Sequence, residues 1–407
     1  MASAARKPGA RSAKGDNGTS AAAGDDRVRT LEQLLATKEI VISCGSGGVG
    51  KTTTAAAAAL MAATHLGGKV LVLTVDPARR LATALALEQF GNAETRVPPE
   101  AFAAAGIEPR GELWAAMLDT KQSWDDLVER HAPDRRTRDQ ILANSLYQNI
   151  SGRFVQSHDY IAMERLYEIH QSGTYDLIVV DTPPTRNAID FLEAPDRMAD
   201  FFSSKLLRWL TAPTKSRVMN FASKPFYTVA DRILGSQFLE DIATFFSLFQ
   251  TMAPGFVERA EAVTKTLADR RTTFLVVSTL EAAPLHEAEF FIEALDQRKL
   301  HLGALVLNKV LPAYLRRTAT TGVAKRLVSD AGSLAASVDG VGDPADVARV
   351  LQTVGESFLN YQVVAKREAE QRASLARTPE VVAAVPYFDA DIHDLSGLLA
   401  LGEQIWR

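Results

Sequence analysis

The chain has 407 residues, 46% of them hydrophobic and 23% charged, which is enough apolar sequence for one large α/β domain or two ordinary ones. Its 45 Lys and Arg against 49 Asp and Glu leave a net charge of -4, so no surplus of cations is there to hold a phosphate backbone, and nucleic acid is excluded as the principal partner. The single cysteine, Cys44, excludes an intrachain disulfide and any zinc or metalloid site built from cysteine thiolates.

In chain order, residues 1–27 are rich in Ala, Gly, Ser and charge, lack the apolar cluster of a secretory leader, and are expected to be a disordered tail. From residue 28 onward, short aliphatic runs recur: "EIVISC" at 39–44, "KVLVLTVD" at 69–76, "LWAAML" at 113–118, "DLIVVD" at 176–181, "TFLVVST" at 273–279, "GALVLN" at 303–308 and "VAAVP" at 382–386. Strands apolar on both faces that alternate with helical stretches predict a doubly wound α/β fold with a mainly parallel sheet over 28–407. Two spacings, 119–175 and 187–272, are too long for simple crossovers and read as helical, so an inserted helical subdomain is expected there. The longest apolar run, "AAAAALMAA" at 55–63, falls short of the roughly 20 residues of a spanning helix. A cytoplasmic location is expected, with peripheral attachment to a membrane as the alternative.

The loop after the first strand carries the chemistry. Gly45, Gly47 and Gly50 satisfy the dinucleotide pattern G-x-G-x-x-G, with Asp76 at the end of the second strand, but Gly45 to Thr52 also reads G-x-x-x-x-G-K-T, the phosphate loop. Lys51 and Thr52 decide between them, because a dinucleotide loop has no use for the lysine. In a phosphate loop the backbone of Gly45, Ser46, Gly47, Gly48, Val49, Gly50, Lys51, Thr52 and Thr53 cradles the phosphates of ATP, Lys51 neutralises charge, and the Thr52 hydroxyl takes Mg²⁺. Asp181, ending "DLIVVD", is the second acidic strand end that a magnesium shell needs, and Thr182 to Thr185 follow it as a loop able to respond to the γ-phosphate.

Three blocks, "GSGGVGKTTTAAAAA", "TVDPARRLATAL" and "DTPPTRNAIDFL", resemble the ArsA-like ATPases, a family of P-loop proteins that includes arsenite-pump motors and factors that target tail-anchored membrane proteins. Order and spacing agree over most of residues 37–400. The resemblance implies a magnesium-dependent ATPase in which Asp76 orients the attacking water, Asn308 reads adenine, and Pro386 with Tyr387 close over the base. It also implies a dimer that clamps around two nucleotides, so that hydrolysis moves the helical regions and a hydrophobic helix or membrane-protein client is bound and released. A motor on a membrane anion transporter, and a nucleotide-binding regulatory or scaffold subunit with little turnover, are the alternative functions.

The chain departs from the family at Ser46, where the signature lysine belongs. A hydroxyl does not replace a cation beside a triphosphate, and a cation supplied in trans contributes about 10³ to 10⁵ in rate in related phosphoryl transfers. Three readings follow: another cation of this chain substitutes, with Arg186 and Arg79 as candidates; a homologous subunit supplies it in a heterodimer, which is preferred over a homodimer; or turnover is slow. The lone cysteine removes the family's metalloid-sensing thiolates and its Cys-x-x-Cys zinc site, so no zinc is expected, and Cys44 is expected to be a buried small residue.

Two helical stretches are amphipathic. "FFSSKLLRWL" at 201–210 is one, and residues 238–252 set Phe238, Ile242, Phe245, Phe249 and Met252 at spacings of three and four, a stripe expected to face a core or another subunit before a client groove. His158, Asp159 and Tyr160 are adjacent and point apart on a helix, so they are expected to be surface or capping residues and not a metal cluster. The stretch 365–377 reads as a solvated helix with paired charges.

Overall fold

The computed structural model describes residues 30–75, 80–87, 91–150, 157–182, 188–203, 236–337, 342–375 and 379–406. The expected tail at 1–27, the site candidates Asp76, Arg79 and Arg186, and residues 204–210 of the first amphipathic stretch lie outside them.

Eight strands form one sheet in the order β3-β4-β2-β5-β1-β6-β7-β8. They are β1 (Ile40–Cys44), β2 (Lys69–Thr74), β3 (Thr95–Arg96), β4 (Glu112–Met117), β5 (Leu177–Asp181), β6 (Thr272–Thr279), β7 (Leu302–Val310) and β8 (Val381–Pro386). All pairs are parallel except β3 with β4. This is the doubly wound α/β fold that the apolar runs predict. The seven runs each become a strand, and the antiparallel edge strand β3, only two residues long, is the addition.

The central strands are buried on both sides because each alternates its residues between two cores. Ile40, Ile42 and Cys44 of β1 and Ile178 and Val180 of β5 face one core, while Val41, Leu177 and Val179 face the other. The second core is covered by the helices Lys51–His65 and Leu395–Trp406, the first of which buries an unbroken alanine run, Ala55 to Ala59, against the sheet. Successive alanines mean that this helix is buried on more than one side, between the sheet and the helix Leu395–Trp406.

The first core extends from the sheet into the helices Thr120–His131, Ser157–Gln171, Ser236–Gln250, Ala253–Leu267 and Ala282–Gln297. Its centre is aromatic. Trp124, Tyr160, Phe249 and Phe256 place their ring centroids 5.6 to 6.4 Å apart, and Phe245 stacks on Phe249 at 5.1 Å, spacings at which aromatic pairs attract beyond simple burial. Phe245, Phe249 and Met252 are buried here, so their stripe faces a core.

Tyr160 corrects the surface reading of the 158–160 cluster: it is fully buried and its hydroxyl donates to Glu164 Oε2 at 3.0 Å. Glu164 is itself buried and ion-paired with Arg259, and burial, opposed by Arg259, raises its pKa. The tyrosine hydroxyl and the guanidinium are what make a buried carboxylate tolerable there.

Between β7 and β8 the chain forms the helices Thr318–Ser329, Ala331–Ala336 and Pro344–Ser374. The last is 31 residues long, far beyond the stretch that the charge pattern marks, and Asp343 caps its start by accepting from Ala345 N at 3.0 Å. Its buried side carries Gly355, Gln362 and Ala365, and Gln362 Nε2 donates to Leu315 O at 3.0 Å. Among the described residues, no helix is long and apolar enough to cross a membrane.

Candidate nucleotide site

The C-terminal ends of β1, β5 and β2 converge on one carboxylate. Asp181 stands opposite Ser43 on β1 and Thr74 on β2, is fully buried, and accepts a hydrogen bond from Thr74 Oγ1 at 2.9 Å. Val75 N donates to the Asp181 carbonyl at 3.1 Å and Thr182 Oγ1 donates to Ser43 O at 2.8 Å, so the chain leaves both β2 and β5 at this point. Residues 76–79 and 183–187 continue from these ends.

The loop that leaves β1 is shaped by its glycines. Gly45 and Gly50 adopt φ of 151° and 95°, and a Cβ would fall 2.1 Å from Val277 O at the first and 2.4 Å from Asn308 Nδ2 at the second. Both positions need glycine for conformation and for space. Gly50 then caps the helix Lys51–His65 without a side-chain hydrogen bond, and no acidic residue occupies the first turn. The N–H groups and positive dipole end of that turn are left for an anion.

Lys51 is 6% exposed and its ammonium donates to Ser46 O at 3.3 Å, which folds the lysine back over the loop. Ser46 Oγ is buried and has no hydrogen-bond partner. A buried donor without an acceptor is costly, which fits a loop that takes an acceptor such as a phosphate oxygen. Cys44, at the foot of the loop, is buried, and its thiol pKa is pushed up to about 12 chiefly by that burial. It is a packed residue and not a nucleophile.

Asn308 and its neighbour brace the loop from β7. Asn308 Nδ2 donates to Val49 O at 2.8 Å, and its Oδ1 accepts from Lys309 N at 2.9 Å. Lys309, with φ of 57°, donates from Nζ to Gly48 O at 3.1 Å. Pro386 pairs with Val310 at the ends of β8 and β7, and Tyr387 N donates to Val310 O at 3.2 Å while its ring stays exposed. The structure thus sets Lys51 and Thr52 at the start of the helix that follows the loop, Asp181 beside the end of β1 and Asn308 against the loop, with Pro386 and Tyr387 on the adjoining strand end. Lys309 is the functional candidate that sequence reasoning missed, and its only signal is a cation directly after the strand-end asparagine in "LVLNK".

These residues fit a magnesium nucleotide. The open helix N-terminus and Lys51 are suited to phosphates, and Asp181 and Thr52 would supply oxygen donors to a magnesium ion. Among the described residues no group of three His, Cys, Asp or Glu that could hold a metal ion is present.

The family described as "Anion-transporting ATPase" matches residues 38–328 of the chain. Among curated proteins the chain is 24% identical over 292 residues to an "ATPase ASNA1 homolog" of Entamoeba dispar, an alignment covering 69% of this chain and 80% of that one. It is 26% identical over 288 residues to "ATPase ASNA1 homolog 1" of Paramecium tetraurelia, covering 69% and 78%. It is 25% identical over 298 residues to "ATPase get3" of Pyrenophora tritici-repentis, covering 70% and 78%.

Proposed function

The chain belongs to the anion-transporting ATPase family, and from that premise we propose that it binds ATP with Mg²⁺ at the Gly45–Thr53 loop and uses hydrolysis to switch a dimer between open and closed forms. It is an ATP-hydrolysing enzyme by family. The output of the switch is capture and release of a protein client with a hydrophobic helix, as in the tail-anchored protein targeting that the resemblance implies.

The observation that carries this reading is the loop itself: an uncapped helix N-terminus, a buried Lys51 folded over it and a buried Asp181 at the adjoining strand end. In this account Lys51 neutralises the phosphates and Thr52 and Asp181 hold the magnesium, which when bound withdraws charge from the phosphate oxygens. Asp76, following Val75 directly, positions the attacking water. The base lies at the ends of β7 and β8, on Asn308, Pro386 and Tyr387. The Asn308 amide, after its bonds to Val49 and Lys309, retains a second N–H and a second lone pair for adenine.

Ser46 carries no charge, so the signature cation is either supplied from elsewhere or missing, in which case turnover is slow. Lys309 already lies on the loop and joins Arg186 and a partner subunit's lysine as the sources to be separated. Steady-state Mg²⁺-ATP turnover of the purified chain, with Asp76→Asn as the blank, tests the reading. Turnover above the blank that drops at least about tenfold in Lys309→Ala or Arg186→Ala identifies a cation of this chain. Turnover appearing only with a co-purifying homologue identifies a heterodimer, and full turnover in Asp76→Asn removes the proposed water-positioning role.

A further inference from the structure

The end of β7 grips the loop that follows β1. Asn308 Nδ2 donates to Val49 O at 2.8 Å, and Lys309 Nζ donates to Gly48 O at 3.1 Å. A trans peptide points its C=O and its N–H in opposite directions, and no peptide bond among the described residues is cis. With the Gly48 and Val49 carbonyls drawn toward β7, the N–H groups of Val49 and Gly50 are turned away from it. These amides lead into the open N-terminus of the helix Lys51–His65, where an anion is held. The grip is close, since a Cβ on Gly50 would fall 2.4 Å from Asn308 Nδ2.

The gripping residues must themselves be held. Lys309 has φ of 57°, a left-handed conformation that a lysine keeps only where its surroundings impose it. One restraint is local, Lys309 N donating to Asn308 Oδ1 at 2.9 Å. Another comes from 57 residues further along the chain, where Glu368 Oε2 accepts from Leu311 N at 2.9 Å. The same helix, Pro344–Ser374, bonds Leu315 O through Gln362 Nε2 at 3.0 Å, so the turn after β7 is fastened to it at residues 311 and 315. Burial raises the Glu368 pKa, against the Leu311 N–H and the Arg316 guanidinium, which lower it. A partly desolvated carboxylate makes a strong, short-range hold on a backbone N–H.

We propose that Glu368 is a positioning residue of the nucleotide site: by holding Leu311 N it fixes the turn that carries Asn308 and Lys309, and through them the direction of the Val49 and Gly50 amides. This role rests on the assignment of Gly45–Thr53 as the phosphate loop and deepens it. Glu368 acts through the two loop carbonyls that Asn308 and Lys309 hold. A loop whose amides are already set binds phosphate without first ordering them. Loss of the hold therefore weakens ADP and ATP alike, whereas a cation that acts only in the transition state changes turnover and leaves binding alone. If Glu368 merely fastened its own helix, its removal would lower stability and leave nucleotide affinity unchanged.

The test is calorimetric binding of Mg²⁺-ADP and Mg²⁺-ATP to the full chain and to three variants at residue 368. Glu368→Ala, which keeps a good helix former, is expected to weaken both nucleotides about tenfold, the effect of one lost charge-assisted hydrogen bond. Glu368→Gln retains an oxygen that accepts from Leu311 N and should stay within about threefold. Glu368→Asp keeps the charge but falls one methylene short, so it should bind more weakly than Glu368→Gln. In a chain carrying Lys309→Met, adding Glu368→Ala should weaken binding by less than about threefold, because part of the path is already cut. Full affinity in Glu368→Ala overturns the proposal, whatever the unfolding midpoint of that variant. Glu368→Asp binding as tightly as the unsubstituted chain while Glu368→Gln does not would replace the hydrogen bond with a charge effect, and an undiminished loss beside Lys309→Met would contradict the path through the loop. Absence of binding by the unsubstituted chain overturns the phosphate-site reading and this role together, whereas insensitivity of Glu368→Ala overturns this role alone.

Discussion

The helix Ser236–Gln250 turns Phe245 and Phe249 into the aromatic centre of the protein, whereas the helix Pro344–Ser374 holds Val350, Val354, Tyr361 and Val364 out to solvent. Both stripes have helical spacing, and periodicity alone treats them alike. What separates them is the partner surface. The first lies across helices that already share the sheet's core, while the second is anchored by a different side, through Gln362 and Ala365. An apolar stripe predicts that a face is to be covered, and tertiary packing decides whether the same chain covers it.

The sharpest way to break this contrast is truncation of one residue on each helix. Phe249→Ala is expected to lower the unfolding free energy by about 3–5 kcal/mol, the cost of a buried aromatic. Val354→Ala is expected to change monomer stability by no more than about 0.5 kcal/mol. Urea titration of both variants at a concentration where the chain is monomeric measures the difference, and equal losses would erase it.

Charge pairs repeat the contrast at a smaller scale. Glu164 and Arg259 have side chains 9% and 14% exposed, and Arg259→Ala strands a buried carboxylate at a cost of about 3 kcal/mol. Asp346 and Arg349, on the long helix, are 64% and 77% exposed at 2.8 Å, so Arg349→Ala is expected to cost less than about 1 kcal/mol. The same titrations, repeated in high salt, should move the second pair and leave the first nearly fixed.

A further effect is one of pH. His131 lies beside Arg259 and Arg130, and burial together with these cations lowers its pKa from 6.5 to about 4. The unfolded chain therefore binds a proton at this residue between those values that the folded chain does not, and stability falls as the pH drops through that window. His131→Gln should make the midpoint temperature decline less steeply from pH 6.5 to 4; an unchanged slope counts against the assignment.

The sheet was legible because buried parallel strands need apolar residues on both faces, and β1, β5 and β6 have them without interruption. The two-residue β3 has no such pattern, since an edge pairing that short is fixed by its neighbour β4. The turn after β1 was legible because its glycines are contiguous, and two of them, Gly45 and Gly50, stand where only glycine fits. The bracing of that loop was not, because Asn308 and Val49 are 259 residues apart in sequence, and no local pattern announces such a contact. The surface reading of Tyr160 fails for a similar reason: it follows the polar His158 and Asp159, and its partner Glu164 is held in the core by the sequence-distant Arg259.

The measurement that tests the central claim most directly is equilibrium binding of Mg²⁺-ATP to the full chain and to Lys51→Ala, by calorimetry on protein shown to be folded. The account predicts saturable binding to the unsubstituted chain and its loss in Lys51→Ala. Unchanged affinity in that variant would contradict the assignment of the Gly45–Thr53 loop as the phosphate site.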